Sequence, residues 1–154
     1  MELLKDFVWK NIAAHHINSF DHLLHFGLQE IVNREPPVCG IKFGAVYVEK
    51  PVFTDISRRV QPMYPNQARK RNETYEGVVC VNVTYNSRET RRVPIGKIPI
   101  MLMSSACNLS QTNLAANEEC TKEVGGYFII KGRERVLVSQ LRPCYNRVYT
   151  FESK

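Results

Sequence analysis

The residues able to do chemistry in this chain are mostly cations. Lys131, Arg133, Arg135 and Arg142 crowd into one short stretch, and Arg69, Lys70 and Arg71 follow one another directly. Guanidinium and ammonium groups gathered in this way hold phosphates by charge-assisted hydrogen bonds without reading sequence. The Arg69–Lys70–Arg71 run also fits the exposed face of a solvated helix. Other chemistries lack their parts. Two-metal phosphoryl or nucleotidyl transfer needs clustered carboxylates, and no D-x-D pattern occurs. His15, His16, His22 and His25 cluster, and His22 and His25 share a helix face at their spacing, but neither a third ligand nor a supporting shell accompanies them. They are expected to be exposed or interface histidines. No nucleophile stands beside a base in a motif. The expectation is a chain with no catalytic residue, no metal site and no cofactor of its own.

Cys39, Cys80, Cys107, Cys120 and Cys144 are odd in number, widely spaced and without a Cys-x-x-Cys pair. Buried free thiols in a reducing compartment suit that pattern better than disulfides or zinc.

The elements that must carry these residues follow from pattern. Gly125–Gly126 signals a turn, since glycine takes positive φ without a Cβ clash. Tyr127–Ile130 is a short β-favouring apolar run, Lys131–Arg135 a charged turn, and Val136–Val138 a second apolar run. This predicts a buried hairpin with Lys131, Arg133, Arg135 and Arg142 beside it. Upstream, residues 2–32 read as helical, with one stripe through Leu3, Leu4, Phe7, Val8 and Ile12. A second runs from Ile17 through Phe20, Leu23, Leu24, Leu28 and Ile31–Val32. Asn18 or Ser19 is the expected N-cap of the second, Gly27 a weak point, and Pro36–Pro37 the end.

Ile41 to Glu49 alternates as a strand. Asn66, after Pro65, is placed to cap a short helix carrying Arg69–Arg71. Val78–Tyr85 alternates again, Asn86–Ser87 marks a turn, and Arg88–Val93 is the expected returning strand, its charges at an edge or tip. Residues 110–121 form a loop or short helix, and Tyr145–Phe151 alternates as a last strand. The expected division is a helical segment, 1–36, and a sheet-containing part, 37–154, of a single α/β (α+β) domain.

The chain has 154 residues, 44% of them hydrophobic, enough for one core. Its 21 Lys+Arg against 15 Asp+Glu give a net charge of +6, which permits acidic partners without demanding them. No apolar run approaches the ~20 residues of a membrane helix, and no signal-peptide pattern opens the chain. The expected location is intracellular.

Several blocks resemble one family, in its order. Gly125-Gly126-Tyr127-Phe128-Ile129-Ile130-Lys131-Gly132-Arg133-Glu134-Arg135-Val136-Leu137-Val138-Ser139-Gln140 is similar to a motif of the second-largest (β-like) subunit of cellular RNA polymerases. So are Ile17–Leu24 around Ser19-Phe20-Asp21, the segment Tyr64–Tyr75, the segment Ile95–Ser105 with Cys107-Asn108-Leu109, and Asn146–Phe151. Met103 stands where the family has Arg, and the family's Asp or Asn and Pro are missing ahead of Gly125. Cys120 sits where the family often has cysteine and is expected to pack.

The resemblance implies the first half of the protrusion domain: N-terminal helices, then a mainly antiparallel mixed sheet, on the upper wall of the DNA cleft. Its implied partners are the rest of that subunit, the largest subunit, the DNA template and the RNA–DNA hybrid, with no membrane. Mg²⁺ would belong to the whole enzyme, held by the largest subunit. Lys131, Arg133, Arg135, Gln140 and Arg142 would lie near the nucleic acid, with Arg135, Val138 and Gln140 at positions that line the rifamycin pocket in bacterial relatives. Arg69, Lys70 and Arg71 would touch DNA or another subunit.

Glu134–Arg135 as a buried structural ion pair stays open beside this. Ending about where the family's lobe starts, the chain is expected to leave edges open and to be sticky alone. The implied location is the nucleus, or the viral factory or virion for a large-DNA-virus enzyme. A stand-alone basic nucleic-acid-binding domain is the alternative, and a small hydrolase has only unplaced histidines in its favour.

Overall fold

The computed structural model describes residues 12–37, 39–55, 57–85, 89–109 and 114–152. The helical stripe expected over Leu3–Val8, the turn at Asn86–Ser87 and Arg88 fall outside these residues.

One helical rod opens the described chain. Helix α1, Ala14–His22, passes into a π-helical turn, Leu23–Gly27, and then into α2, Leu28–Arg34. The weak point expected at Gly27 is thus a change of helical pitch, and the rod continues through it. Asn18 and Ser19 lie inside α1 and cap nothing. The helix starts earlier because Ala13, the preceding residue, is buried against Gly126.

Strands β1, Ile41–Val48, β4, Glu76–Tyr85, and β5, Glu89–Pro99, form an antiparallel sheet in the order β1-β4-β5. Short strands β2, Val52–Thr54, and β3, Val60–Pro62, pair separately, as do β6, Phe128–Ile130, and β7, Arg133–Arg135. The class is α+β, as expected, and every strand pair among the described residues is antiparallel rather than mixed.

The register of β1 shifts between Phe43 and Val46. Gln29 of α2 meets the backbone there. Its Oε1 accepts Val46 N–H at 2.9 Å and its Nε2 donates to Gly44 O at 3.1 Å. A bulge leaves ladder groups unpaired, and this amide supplies partners for both kinds. Strand β5 carries a second shift, with Gly96 opposite Val79 and Pro94 opposite Cys80. Pro94 has no N–H to offer, and an edge strand at a bulge is where that costs least. β5 runs unbroken to Pro99, so the returning strand is longer than Arg88–Val93. Ile100–Ser105, which follows in the same motif block, turns instead.

The core lies at the end of this sheet. Tyr75, Ile100, Leu102 and Ile129 are almost fully buried, with Phe20, Met63, Ala68, Met101, Cys107, Leu109, Leu114 and Phe128 around them. Phe20 of α1 meets Phe128 edge-on at 5.4 Å, so the helical segment shares one core with the sheet. Inside that core, Tyr75 OH accepts Asn108 N–H at 2.9 Å, while Asn108 Nδ2 donates to Pro51 O and Met63 O. Asp21 Oδ1 accepts both Ser105 N–H and Ser105 Oγ–H at 2.9 Å, tying α1 to the Met101–Cys107 turns. These bonds let an irregular segment lie buried without orphaned polar groups.

Three further expectations are corrected. The hairpin's second strand is Arg133–Arg135, and the charged residues form it instead of the turn. Val136–Val138 is exposed and irregular. Tyr145–Phe151 forms no strand; nothing in the described chain pairs with it, and its aromatic side chains face solvent. Of the cysteines, only Cys80 and Cys107 are buried, and Cys120, expected to pack, is exposed with Cys39 and Cys144.

Candidate nucleic-acid interface

The hairpin turn is Lys131–Gly132, with both φ angles positive, at 50° and 73°. Two such residues between paired strands match the twist of the strands they join. The turn docks on the loop that leaves helix α3, Pro65–Arg71. Gly132 N–H donates to Glu73 O at 2.9 Å, Lys131 N–H to Thr74 Oγ1 at 3.1 Å, and Tyr75 N–H to Ile129 O at 3.0 Å. α3 begins at Pro65 rather than at an Asn66 cap: Gln67 Oε1 accepts Tyr64 N–H at 3.1 Å, and Pro65 has no N–H needing a partner. It ends on Asn72 in the left-handed conformation.

Arg69 joins these parts. Its Nη1 donates to both Glu119 oxygens, at 3.0 and 2.9 Å, its Nε to Glu134 Oε1 at 3.0 Å, and its Nη2 to Tyr127 OH at 2.8 Å. Tyr127 OH in turn donates to Glu123 Oε2 at 2.9 Å, and Glu123 Oε1 accepts Gly125 N–H at 2.8 Å. Glu123 therefore closes the turn where the family's Asp or Asn and Pro are absent. The Glu119 side chain is 4% exposed and Arg69 23%, so this pair is sheltered, while Glu134 is 57% exposed. Burial pulls the Arg69 guanidinium down, but Tyr127, Glu119 and Glu134 outweigh it and hold its pKa above the ordinary value. Burial, reinforced by the bond to Glu123, raises the Tyr127 phenol.

The other two cations of the run are also engaged. Lys70 bonds Glu118, whose pKa is lowered by that contact, and Asn66 Nδ2 adds a bond to the same carboxylate at 3.1 Å. The Arg71 guanidinium lies 4.3 Å from the centre of the Phe53 ring. Glu134 faces Arg69, so the ion pair with Arg135 left open above does not form; adjacent strand residues point to opposite faces.

Lys131, Arg133 and Arg135 are exposed, and no carboxylate among the described residues pairs with any of them. Arg133 and Arg135 share one face of β7. Gln140 and Arg142 lie farther along the exposed chain, where Arg142 Nη2 donates to Gln140 Oε1 at 3.1 Å. They are not part of the hairpin. Val138 is exposed with Val136 and Leu137; these three and Ser139 form one side of an open groove of about 450 Å³ whose other side is His15, His16 and Ser19 of α1. Among the described residues no group of three or more His, Cys, Asp or Glu is arranged to hold a metal. No helix among them is long and apolar enough to cross a membrane.

Sequence patterns did not point to Glu118, Glu119, Glu123 or Tyr127 as members of this network. The adjacent acids Glu118–Glu119 complement Lys70 and Arg69 in charge, but their pairing spans about a third of the chain.

Comparison with known proteins agrees with the motif blocks. The family model described as RNA polymerase beta subunit matches residues 11–142. An RNA polymerase II subunit RPB2 homolog of Invertebrate iridescent virus 3 is 38% identical over 94% of this chain. The RNA polymerase II subunit RPB2 of Encephalitozoon cuniculi is 34% identical over 95%, and subunit 2 of Arabidopsis thaliana 31% over 94%. Each alignment covers 15% of the relative, so the chain spans roughly a seventh of the length of the curated relatives it matches. With most of its length matched and its hairpin inside the matched region, the chain belongs to the RNA polymerase beta subunit family and corresponds to the N-terminal region of the second-largest subunit.

Proposed function

We propose that this chain serves as part of the second-largest subunit of a DNA-directed RNA polymerase, as a wall of the cleft that holds the template and the RNA–DNA hybrid. Its role is architectural and electrostatic. The observation that carries this is the exposed row Lys131, Arg133 and Arg135, none of them paired with a carboxylate among the described residues, on a hairpin inside the family-matched region. Such a row binds phosphates whatever the base sequence, as a wall serving every template must. The two-metal chemistry and its Mg²⁺ belong to the largest subunit, and the chain alone is inactive. Its partners are the remainder of its own subunit, the largest subunit and nucleic acid. Exposed Val136, Leu137, Val138 and Leu141 offer apolar surface to such protein partners. The protein works inside the cell, in the nucleus or, for a viral enzyme, in the factory or virion.

A pull-down from the native source with the chain as bait, read by mass spectrometry, tests this. Recovery of a largest-subunit homologue together with other β-like sequence is expected. Recovery of nucleic acid without polymerase subunits would overturn the proposal in favour of a stand-alone binder.

A further inference from the structure

We infer that Arg71 belongs to the same phosphate-binding surface as the hairpin, continuing the row from Lys131 onto the end of helix α3, with Phe53 as its positioning residue. The inference rests on the phosphate-binding reading proposed above. Two of the consecutive cations Arg69–Lys70–Arg71 are taken up by acids of this chain, Arg69 by Glu119 and Glu134 and Lys70 by Glu118. Arg71 is exposed and pairs with no carboxylate among the described residues. Its guanidinium lies 4.3 Å from the centre of the Phe53 ring. An aromatic ring attracts a cation through its quadrupole and carries no charge of its own, so Arg71 is held in place and keeps its full charge.

The docking of the hairpin sets where that charge stands. A Cβ on Gly132 would lie 2.8 Å from Asn72 Cα. Arg71 and Lys131 immediately precede those two residues, so their Cα atoms stand within about 12 Å of each other. The bonds from Gly132 N–H to Glu73 O and from Lys131 N–H to Thr74 Oγ1 maintain that spacing. An arginine fork and a flexible lysine rooted this close together reach one phosphate or successive phosphates of a strand. The ligand is a nucleic-acid backbone, gripped across the joint between α3 and the hairpin. Glu73 is an exposed acid at the same joint, paired with no cation among the described residues, and it opposes that ligand.

The test uses the full 154-residue chain and a fluorescently labelled RNA–DNA hybrid, with affinity measured across a salt series and each variant checked for native circular dichroism. Arg71→Gln should weaken binding about threefold, the effect of one unit charge ~6 Å from a phosphate in a high-dielectric setting. Its salt slope should be shallower by up to about one, which a purely structural role for Arg71 would not produce. Lys42→Gln is the charge-matched control. Lys42 is exposed, and its partner Thr84 lies about 26 Å along β4 from Glu76, far beyond the ~8–10 Å range of screened charges. That variant should change affinity by less than about 1.5-fold. Glu73→Gln should raise affinity about twofold, the opposite sign at the same joint.

Phe53→Leu keeps the charge of Arg71 and most of the apolar bulk but removes the ring. It should weaken binding about twofold with the salt slope unchanged, while Phe53→Tyr, which keeps the ring, should bind as the native chain does. An Arg71→Gln effect no larger than that of Lys42→Gln, or no gain from Glu73→Gln, would overturn the inference, and native affinity in Phe53→Leu would overturn the role of Phe53. Arg133→Gln with Arg135→Gln separates the two levels. If that pair has no effect, the phosphate-binding reading falls and the inference with it. If that pair weakens binding but Arg71→Gln only matches the control, the inference alone falls.

Discussion

Replacing Gly132 by alanine probes the docking that places the cation row. Two costs can be worked from the structure. The residue sits at φ +73°, where a Cβ meets the following carbonyl and costs about 1–2 kcal/mol. The new Cβ would also lie 2.8 Å from both Asn72 Cα and Asn72 Oδ1, and 3.1 Å from Arg69 O. The Asn72 amide can rotate away, but its Cα cannot, because Asn72 caps α3 through its own N–H. The hairpin must therefore back off by a few tenths of an ångström. That weakens the bonds from Gly132 N–H to Glu73 O and from Lys131 N–H to Thr74 Oγ1, adding about 1 kcal/mol or more.

The expected loss is about 3 kcal/mol, a large share of the ~5–15 kcal/mol that holds a domain together. Gly96→Ala is the matched control: its Cβ meets nothing within 4 Å and its φ is not positive, so the change should stay within about 0.5 kcal/mol. Urea unfolding followed by circular dichroism gives both values from the midpoints. A Gly132→Ala midpoint indistinguishable from wild type, or equal losses for the two variants, would refute the claim that the hairpin is locked against α3.

Two further outcomes are expected. Burial raises the phenols of Tyr75 and Tyr127 above the ordinary 10.0, so the folded state binds these protons more tightly than the unfolded state. Their contribution to stability is whole below pH 10 and is lost as pH rises through the folded values; phenolate absorbance should show these tyrosines ionising only with unfolding, and early ionisation of all seven tyrosines would contradict the packing. A thiol reagent should label Cys39, Cys120 and Cys144 promptly in the native chain and reach Cys80 and Cys107 only in denaturant; prompt labelling of Cys107 would contradict its burial beside Tyr75.

Electrostatics divide the chain's cations into two populations. Arg69 and Lys70 are spent on acids of this chain, and Arg71 lies over Phe53. Lys131, Arg133 and Arg135 meet no such partner among the described residues. A net charge of +6 therefore says little about where a polyanion would sit. What matters is which cations remain uncompensated, and at an exposed site their attraction is screened within about 8–10 Å at physiological salt.

Much was legible in the residues themselves. The Gly125–Gly126 turn, the helices ended by Pro36–Pro37, the alternation of Val78–Tyr85 and the ordered motif blocks are local signals, and local signals are set by backbone sterics and side-chain period. They were enough to indicate the class, the family and the hairpin. The tertiary structure decided the rest. It moved the second hairpin strand onto Arg133–Arg135, because Lys131–Gly132 could take the two positive φ angles of a tight turn. It left Val136–Val138 and Tyr145–Phe151 irregular, because apolar alternation makes a strand only where another strand supplies hydrogen-bond partners. It buried Ile100–Leu109 without regular structure, because Asp21, Tyr75 and Ser104 satisfy backbone groups there. And it divided Arg69 from Arg133, two arginines of the same chemistry. Pairing energy depends on distance in space, and Glu119 and Glu134 reach Arg69 across 50 and 65 residues of chain, a separation no local pattern encodes.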